Sequence, residues 1–304
     1  MFQCKKCTGT FSETHGTPME NLKTPLSKVA SVLRVRSEGM GLRASGRVFG
    51  IHKNTVSEWE HRFAAQKAPL MLYVICHEFI SLTFEGDELY TLTGKRCEAG
   101  DSEGWTAVIM ERASRFIVEQ RCGKKDAELF QAVMNTVAGY IEQSDDVTFL
   151  SDGERRYGNT LFELCAEVLR SGCRGRPPET LPAGVKVRLK NKGSQSSKPG
   201  RKRPKYEAPH REHPDTVQNL NSADIHANHV EAQNAALRRR NSAFRRCANT
   251  YAKCREGLQR TLDVHQIIHN FVRHHWTTGE VPAVALGVTT GALGLEDILT
   301  WRFA

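Results

Sequence analysis

The chain has 304 residues, 39% hydrophobic and 25% charged, a balance that excludes a wholly disordered, collagen-like or membrane-embedded protein and leaves room for one large domain or two to three smaller ones. Forty-three Lys and Arg against 34 Asp and Glu give a formal charge of +9. That excess points to a polyanionic partner, nucleic acid first, because each neutralised phosphate releases condensed counterions. An anionic membrane surface stands second to nucleic acid; the longest apolar run, Ala68 to Cys76, is under half a bilayer span, so no membrane-spanning helix is expected, and no membrane partner is carried into the final expectation. The N-terminus has a Lys pair but no apolar stretch behind it and no small-residue cleavage site, which predicts a cytoplasmic protein.

Residues 1–20 read as a small knuckle and linker, interrupted by Gly9, Gly16 and Pro18. Cys4 and Cys7 have the spacing of one half of a tetrahedral Zn²⁺ site. No second pair follows, His15 is the only third ligand on offer, and two exposed cysteines are the plain alternative. The nine cysteines are an odd number, otherwise scattered singly, and predict reduced thiols rather than a disulfide framework.

Residues 21–68 turn helical. Ala44 and Val48 lie four apart, Gly50 punctuates, and Val56, Trp59 and Phe63 recur at helical spacing, which outlines two short helices about a tight turn. In such a unit Ala44, Val48, Ile51, Val56 and Trp59 hold the helices together. Arg43, Lys53, Asn54, Ser57 and Arg62 then project toward base edges and phosphates of double-stranded DNA. An ordinary helical hairpin is the alternative.

After Pro69 the texture becomes that of strands: Phe84 to Thr93, Gly104 to Met110 and Phe116 to Gln120 are rich in β-branched and aromatic residues. A helix is expected over Asp126 to Glu142, a strand over Val147 to Leu150, a helix over Thr160 to Leu169 and a strand over Val185 to Leu189. The order predicts a mixed α/β sheet with helices packed on it. Nine Lys or Arg without one acid between Lys186 and Lys205 read as an exposed basic loop, bounded at 190–216. A long helix is expected from Ile225 past Tyr251 and another over Leu262 to His275. The tail, 277–304, turns helical again from Leu295.

Among the acids, Asp87 falls within the first of these strands, Asp152 at the carboxyl end of a later one, and Glu231 on the long helix beside Val230, Leu237 and Phe244. Steps of seven and fourteen from Glu231 put Arg238 and Arg245 on its face. Three acids from two strands and a helix can hold hard divalent cations, Mg²⁺ or Mn²⁺, through oxygen. In a chain with 34 acids, ordinary exposed carboxylates are the competing explanation. His265, His269, His274 and His275 are expected on the surface or facing DNA.

The segments CKKCTGTFS at 4–12, GRVFGIHKNTVSEW at 46–59, GDELYTLTGK at 86–95, FLSDGERRYGNTL at 149–161, HVEAQNAALRRRNSAFRR at 229–246 and LDVHQIIHNFVRHHW at 262–276 resemble, in that order, the insertion sequence 1 type of bacterial transposases. The resemblance runs from Phe2 to about Leu299. It implies an α/β fold in which an RNase H-like catalytic domain, 80–276, follows a zinc ribbon and a small helix-turn-helix domain. It implies that Asp87, Asp152 and Glu231 match the family's catalytic Asp, Asp and Glu, with Glu88 the competitor for the first. Arg238, Arg239, Arg240, Arg245 and Arg246 would clamp backbone phosphates. The family's ribbon has two knuckles and this sequence starts just before the second, so a partial ribbon is expected.

The resulting expectation is a DDE transposase that binds terminal inverted repeats and cuts and joins DNA with Mg²⁺ or Mn²⁺, acting as a homo-oligomer in the cytoplasm, on the nucleoid. A non-catalytic helix-turn-helix regulator or an inactive transposase remnant is the alternative. A tyrosine recombinase is excluded, since no His is followed by Arg three residues on.

Overall fold

The structure, a computed structural model, describes residues 2–12, 14–95, 97–170, 175–191, 203–245 and 249–302. Strands β1 (Phe2–Gln3) and β2 (Thr10–Phe11) form a small antiparallel hairpin. Helices α1 (Leu26–Ser37), α2 (Leu42–Phe49), α3 (Lys53–Ala64) and α4 (Lys67–Ile75) follow. Residues 50–52 form the tight turn between α2 and α3. Gly50 takes φ 62°, a left-handed conformation that costs glycine little, and so ends α2. Gly46 lets the turn close, because a Cβ there would stand 2.7 Å from the Ile51 carbonyl.

The inward face of α2 is Ser45 and Gly46, with Leu42 and Phe49 partly buried, and not the face of Ala44 and Val48. Val48 is 64% exposed, so its expected place between the helices is corrected: the close backbone approach at Gly46 rotates Val48 outward. Val56, Trp59 and Phe63 are buried as expected. The helix α4 replaces expected non-helical chain. Pro69 lies in its first turn, where no backbone donor is lost, so it does not break the helix.

The rest of the chain builds around one sheet. Strands β3 (Leu82–Tyr90), β4 (Trp105–Glu111) and β5 (Ile117–Gly123) form an antiparallel meander. Helix α5 (Ala127–Ile141), whose first turn is capped by the Asp126 carboxylate, leads to β6 (Val147–Ser151). Then come α6 (Arg155–Cys165), the short pair β7 (Glu167–Val168) and β8 (Glu179–Thr180), β9 (Val185–Lys190) and β10 (Tyr206–Glu207). The strand order is β10-β9-β6-β3-β4-β5, with β6 parallel to both β3 and β9. This is the expected mixed sheet flanked by helices.

Alternation along the strands sorts the two faces. Phe84, Ala107, Ile109, Val118, Phe149 and Val187 join α5 and α6 in the main core, which runs on without interruption into α1, α3 and α4. Leu89, Val108, Met110 and Cys122 pack on the other face. There they meet Val230 and Leu237 of α7 (Asn228–Arg240) and Leu258 and Leu262 of α8 (Arg255–Ile267). A π-helical stretch, Ile268–Val272, continues α8, and α9 (Pro282–Ala285) and α10 (Leu295–Thr300) close the chain against the core.

Three further expectations are corrected. The long helix stops at Arg240, because Asn241 turns its side chain onto the Ala243 N–H and the Thr261 hydroxyl and ends the helical backbone. The helix expected from Thr160 starts at Arg155, where Glu154 caps it. Lys186, read as part of an exposed basic loop, is buried on β9, its ammonium bonded to Asp146 at 2.5 Å and Asn219 at 2.9 Å. Residues 192–202 of that loop lie outside the described residues. No helix among the described residues is long and apolar enough to cross a membrane.

Candidate active site

Gly86 and Ser151 are the last register partners of the parallel pair β3–β6, and Asp87 and Asp152 are the next residue of each chain segment. From β3 the chain runs to one side of the sheet through β4 and β5, then returns to the other side as β6. Such a switch in strand order opens a crevice at the carboxyl ends of the strands. Asp87 and Asp152 follow the last register pair beside that switch point.

Asp87 shares its sheet face with Glu85 and Leu89, the face that α7 covers. Asn234 of α7 donates to its Oδ2 at 2.9 Å. Burial, then the charges of Glu88 and Glu231, push the Asp87 carboxyl up to about 6. Glu231, exposed in the first turn of α7, is therefore within electrostatic reach of Asp87. Glu88, the competitor for the first acid, is held by the Lys125 ammonium at 2.7 Å.

Glu85 explains why α7 lies where it does. Its side chain is fully buried, and Oε2 accepts the His229 and Val230 backbone N–H groups at 2.9 and 3.0 Å, two of the unpaired donors of the α7 N-terminus. Oε1 takes Arg112 Nε at 2.7 Å and His229 Nδ1 at 2.6 Å. Burial raises the Glu85 pKa, but the His229, Val230 and Arg112 donors outweigh it and hold the carboxyl below its usual range. Glu85, His226 and His229 place three ligand atoms within 4.8 Å. The Arg112 guanidinium occupies the same carboxylate and also donates to the His226 carbonyl at 2.8 Å, so this cluster is an ion-paired helix anchor and ill-suited to a cation.

The arginines separate. Arg238 stays two turns below Glu231 on one face of α7. Arg239 and Arg240 line a different cleft, with Arg273 and His269. Arg245 lies beyond the helix, against Gly39 in the α1–α2 turn, which corrects its expected place on the Glu231 face. Arg246 lies outside the described residues.

Arg43, Lys53, Asn54 and Ser57 line one groove of about 700 Å³, together with Arg47, Lys253 and the chain after Asn241. Arg62 lies apart, bonded to Glu58 at 2.9 Å and to the Glu20 carbonyl at 3.1 Å. Cys4 and Cys7 flank a tight turn, and the Cys7 and Lys6 N–H groups, with the Cys7 thiol, lower the Cys4 thiol pKa. His15 is turned to Glu20 at 2.6 Å, and among the described residues no third metal ligand gathers with the two cysteines. His265 and His269, expected at the surface, are buried. His265 is bonded to Gln233, and His269 to the Arg115 carbonyl, because α8 and its π-helical continuation pack between β5 and the helices α3 and α4.

Two residues of this site were not singled out from the sequence. Glu85 lies two positions before Asp87, hence on the same strand face, and Asn234 lies three positions after Glu231 on the same helix face. Those offsets were the available signal.

No family model matches the sequence, and no curated protein matches it either. Solved structures to which the chain is similar include the Mos1 mariner paired-end complex with Mn, at 12% identity over 47% of this chain and 57% of that one, TM-score 0.18. The Mos1 strand transfer complex is similar at 13% identity over 46% and 56%, TM-score 0.17. The chain thus spans just over half the length of those chains. Superpositions this loose carry no inference about its chemistry.

Proposed function

We propose that the chain is a DNA transposase that cuts and joins DNA with Mg²⁺ or Mn²⁺, using Asp87 and Asp152 as principal cation ligands and Glu231 to complete the set. The observation that supports this reading is that Asp87 and Asp152 each follow the last register pair of β3 and β6, at the strand-order switch, with the Glu231 charge acting on Asp87. The donor set fits a hard divalent cation. It consists of carboxylate oxygens, and bound positive charge offsets the burial that chiefly disfavours the Asp87 anion, with the charges of Glu88 and Glu231 adding to it. When bound, the cations lower the pKa of the attacking water or 3′ hydroxyl and stabilise the leaving oxygen.

The chain's own groups position the rest. Asn234 fixes Asp87 Oδ2, Glu85 fixes the start of α7 and with it Glu231, and Arg238 faces the scissile strand as a phosphate ligand. Acids on adjoining strands of a mixed sheet support an RNase H-like domain over 80–276. The groove with Arg43, Lys53, Asn54 and Ser57 supports a helix-turn-helix that reads terminal repeats in a homo-oligomeric complex on double-stranded DNA. The Cys4–Cys7 turn supports half of a Zn²⁺ knuckle.

The test is cleavage and strand transfer on labelled duplex carrying the element's ends, with Mg²⁺ or Mn²⁺. Activity in the wild type that Asp87→Asn, Asp152→Asn and Glu231→Gln each abolish is the expected result. Sequence-specific binding with no cutting by the wild type in either cation would sink the enzyme reading and favour a non-catalytic regulator.

A further inference from the structure

Helix α7 carries a second cleft, on the face away from Glu231. His229, Gln233, Ala236 and Arg240 form its stripe, and the cleft, about 290 Å³, is completed by Arg115, Arg239, Arg273 and the turn after the π-helical stretch. None of the described residues that line it is acidic. Glu38 neutralises part of the charge from outside, pairing with Arg273 and with Arg240 at 3.8 Å. Arg115 and Arg239 have no acid at ion-pair distance among the described residues. Burial first, then the charges of Arg273 and Arg239, lower the Arg240 pKa against the opposing pull of Glu38.

At the mouth of this cleft stands Trp276, 98% exposed, where Trp59 in the core is 1% exposed. Its turn is closed by backbone bonds, His275 N–H to the Glu280 carbonyl at 2.8 Å and Gly279 N–H to the His275 carbonyl at 2.9 Å. A large apolar ring held in water on an ordered turn, beside guanidiniums whose charge is only partly offset, has the two elements that single-stranded nucleic acid requires: a stacking platform and a cationic track. A base within a duplex has both π-faces covered by its neighbours, so only an unpaired or extruded base can use the ring.

We propose that this cleft binds one nucleotide of an unpaired DNA strand, its phosphates on Arg115 and Arg239 and its base stacked on Trp276. The inference rests on the DNA-processing reading above and adds to it a subsite for the strand that cutting leaves unpaired.

Binding is measured with the full chain carrying Asp152→Asn, in EDTA, against a fluorescein-labelled single-stranded oligonucleotide and a closed circular duplex. Trp276→Ala is expected to weaken single-strand binding about 5- to 150-fold, the range for loss of one base–aromatic stack, and to leave duplex binding unchanged. The single strand is expected to quench tryptophan fluorescence, and the quench disappears in Trp276→Ala. Arg239→Ala should reduce the salt dependence of single-strand binding by about one counterion. Unchanged single-strand affinity in Trp276→Ala, or an equal loss for the circular duplex, overturns the proposal. If the wild type also cuts DNA, such a result removes this subsite and leaves the transposase reading in place. Binding that depends on Trp276 in a protein that never cuts does the reverse, and a wild type that binds neither DNA removes both.

Discussion

His269 lies inside the protein with its Nε2 on the Arg115 carbonyl at 2.9 Å. Burial, against which the Arg115 bond works, pushes its pKa down to about 3 from 6.5. Between those values the unfolded chain binds a proton that the folded chain refuses. The stability contributed by the neutral ring is complete above about pH 6.5 and lost as pH falls toward 3. In His269→Asn the loss of unfolding free energy on acidification from pH 6.5 to 4.5 should be smaller, by about 1 kcal/mol per pH unit, in urea titrations followed by circular dichroism. An unchanged slope would mean that the ring titrates normally. The sequence showed His265 and His269 at i and i+4 beside Ile267, Ile268 and Phe271. It did not show that α8 is covered on both sides, so their burial could not be read from periodicity on one helix alone. Asp87 and Asp152 were legible for the opposite reason. Their positions depend on strand alternation and strand ends, which are local properties of the chain.

At the level of elements, α7 is the part on which the site depends, and it is held by a residue of another element. Glu85 from β3 takes its first backbone donors, the Asn234 side chain reaches back to Asp87, and Asn241 ends it. Removing Glu85 strips the helix start of its acceptor and leaves Arg112 with no carboxylate at that spot. Glu85→Ala is expected to lower the unfolding free energy by about 3 to 5 kcal/mol in urea, and Glu85→Gln, which keeps an acceptor oxygen, by less. Equal and small losses in the two variants would show that α7 does not depend on this contact. The existence of α7 was plain from its apolar stripe, whereas its end was not. Asn241 stops the helix through a bond to Thr261, twenty residues on, and no window of sequence contains that partner. The sheet was likewise legible in its strands but not in its order. Pairing of β6 with β3 rather than with β5 is decided by packing across the whole fold. Val48 and Pro69 mark the limits of local rules, one displaced by a close backbone approach, the other harmless in a first turn.

Across the whole molecule, the helices α1–α3 are bonded to the half that carries the acids. Glu60 of α3, 1% exposed, takes Arg36 of α1 at 2.6 Å and Arg260 of α8 at 3.7 Å, while Lys67 of α4 joins Glu119 of β5 to Asp263 of α8. A charge buried between two cations of opposite halves fixes their mutual orientation, because separating them exposes it unpaired. These ion pairs thereby fix the groove with Arg43 and Lys53, and the cleft under Trp276, relative to the sheet. In the proposed reading the divalent cation is held by Asp87, Asp152 and Glu231, and not by the Glu85–His226–His229 cluster. The most direct test is calorimetric titration of Mn²⁺ into the wild type, Asp152→Asn and His226→Ala. Binding to the wild type that Asp152→Asn removes and His226→Ala leaves intact is the expected result. Binding that survives Asp152→Asn and disappears in His226→Ala would contradict it.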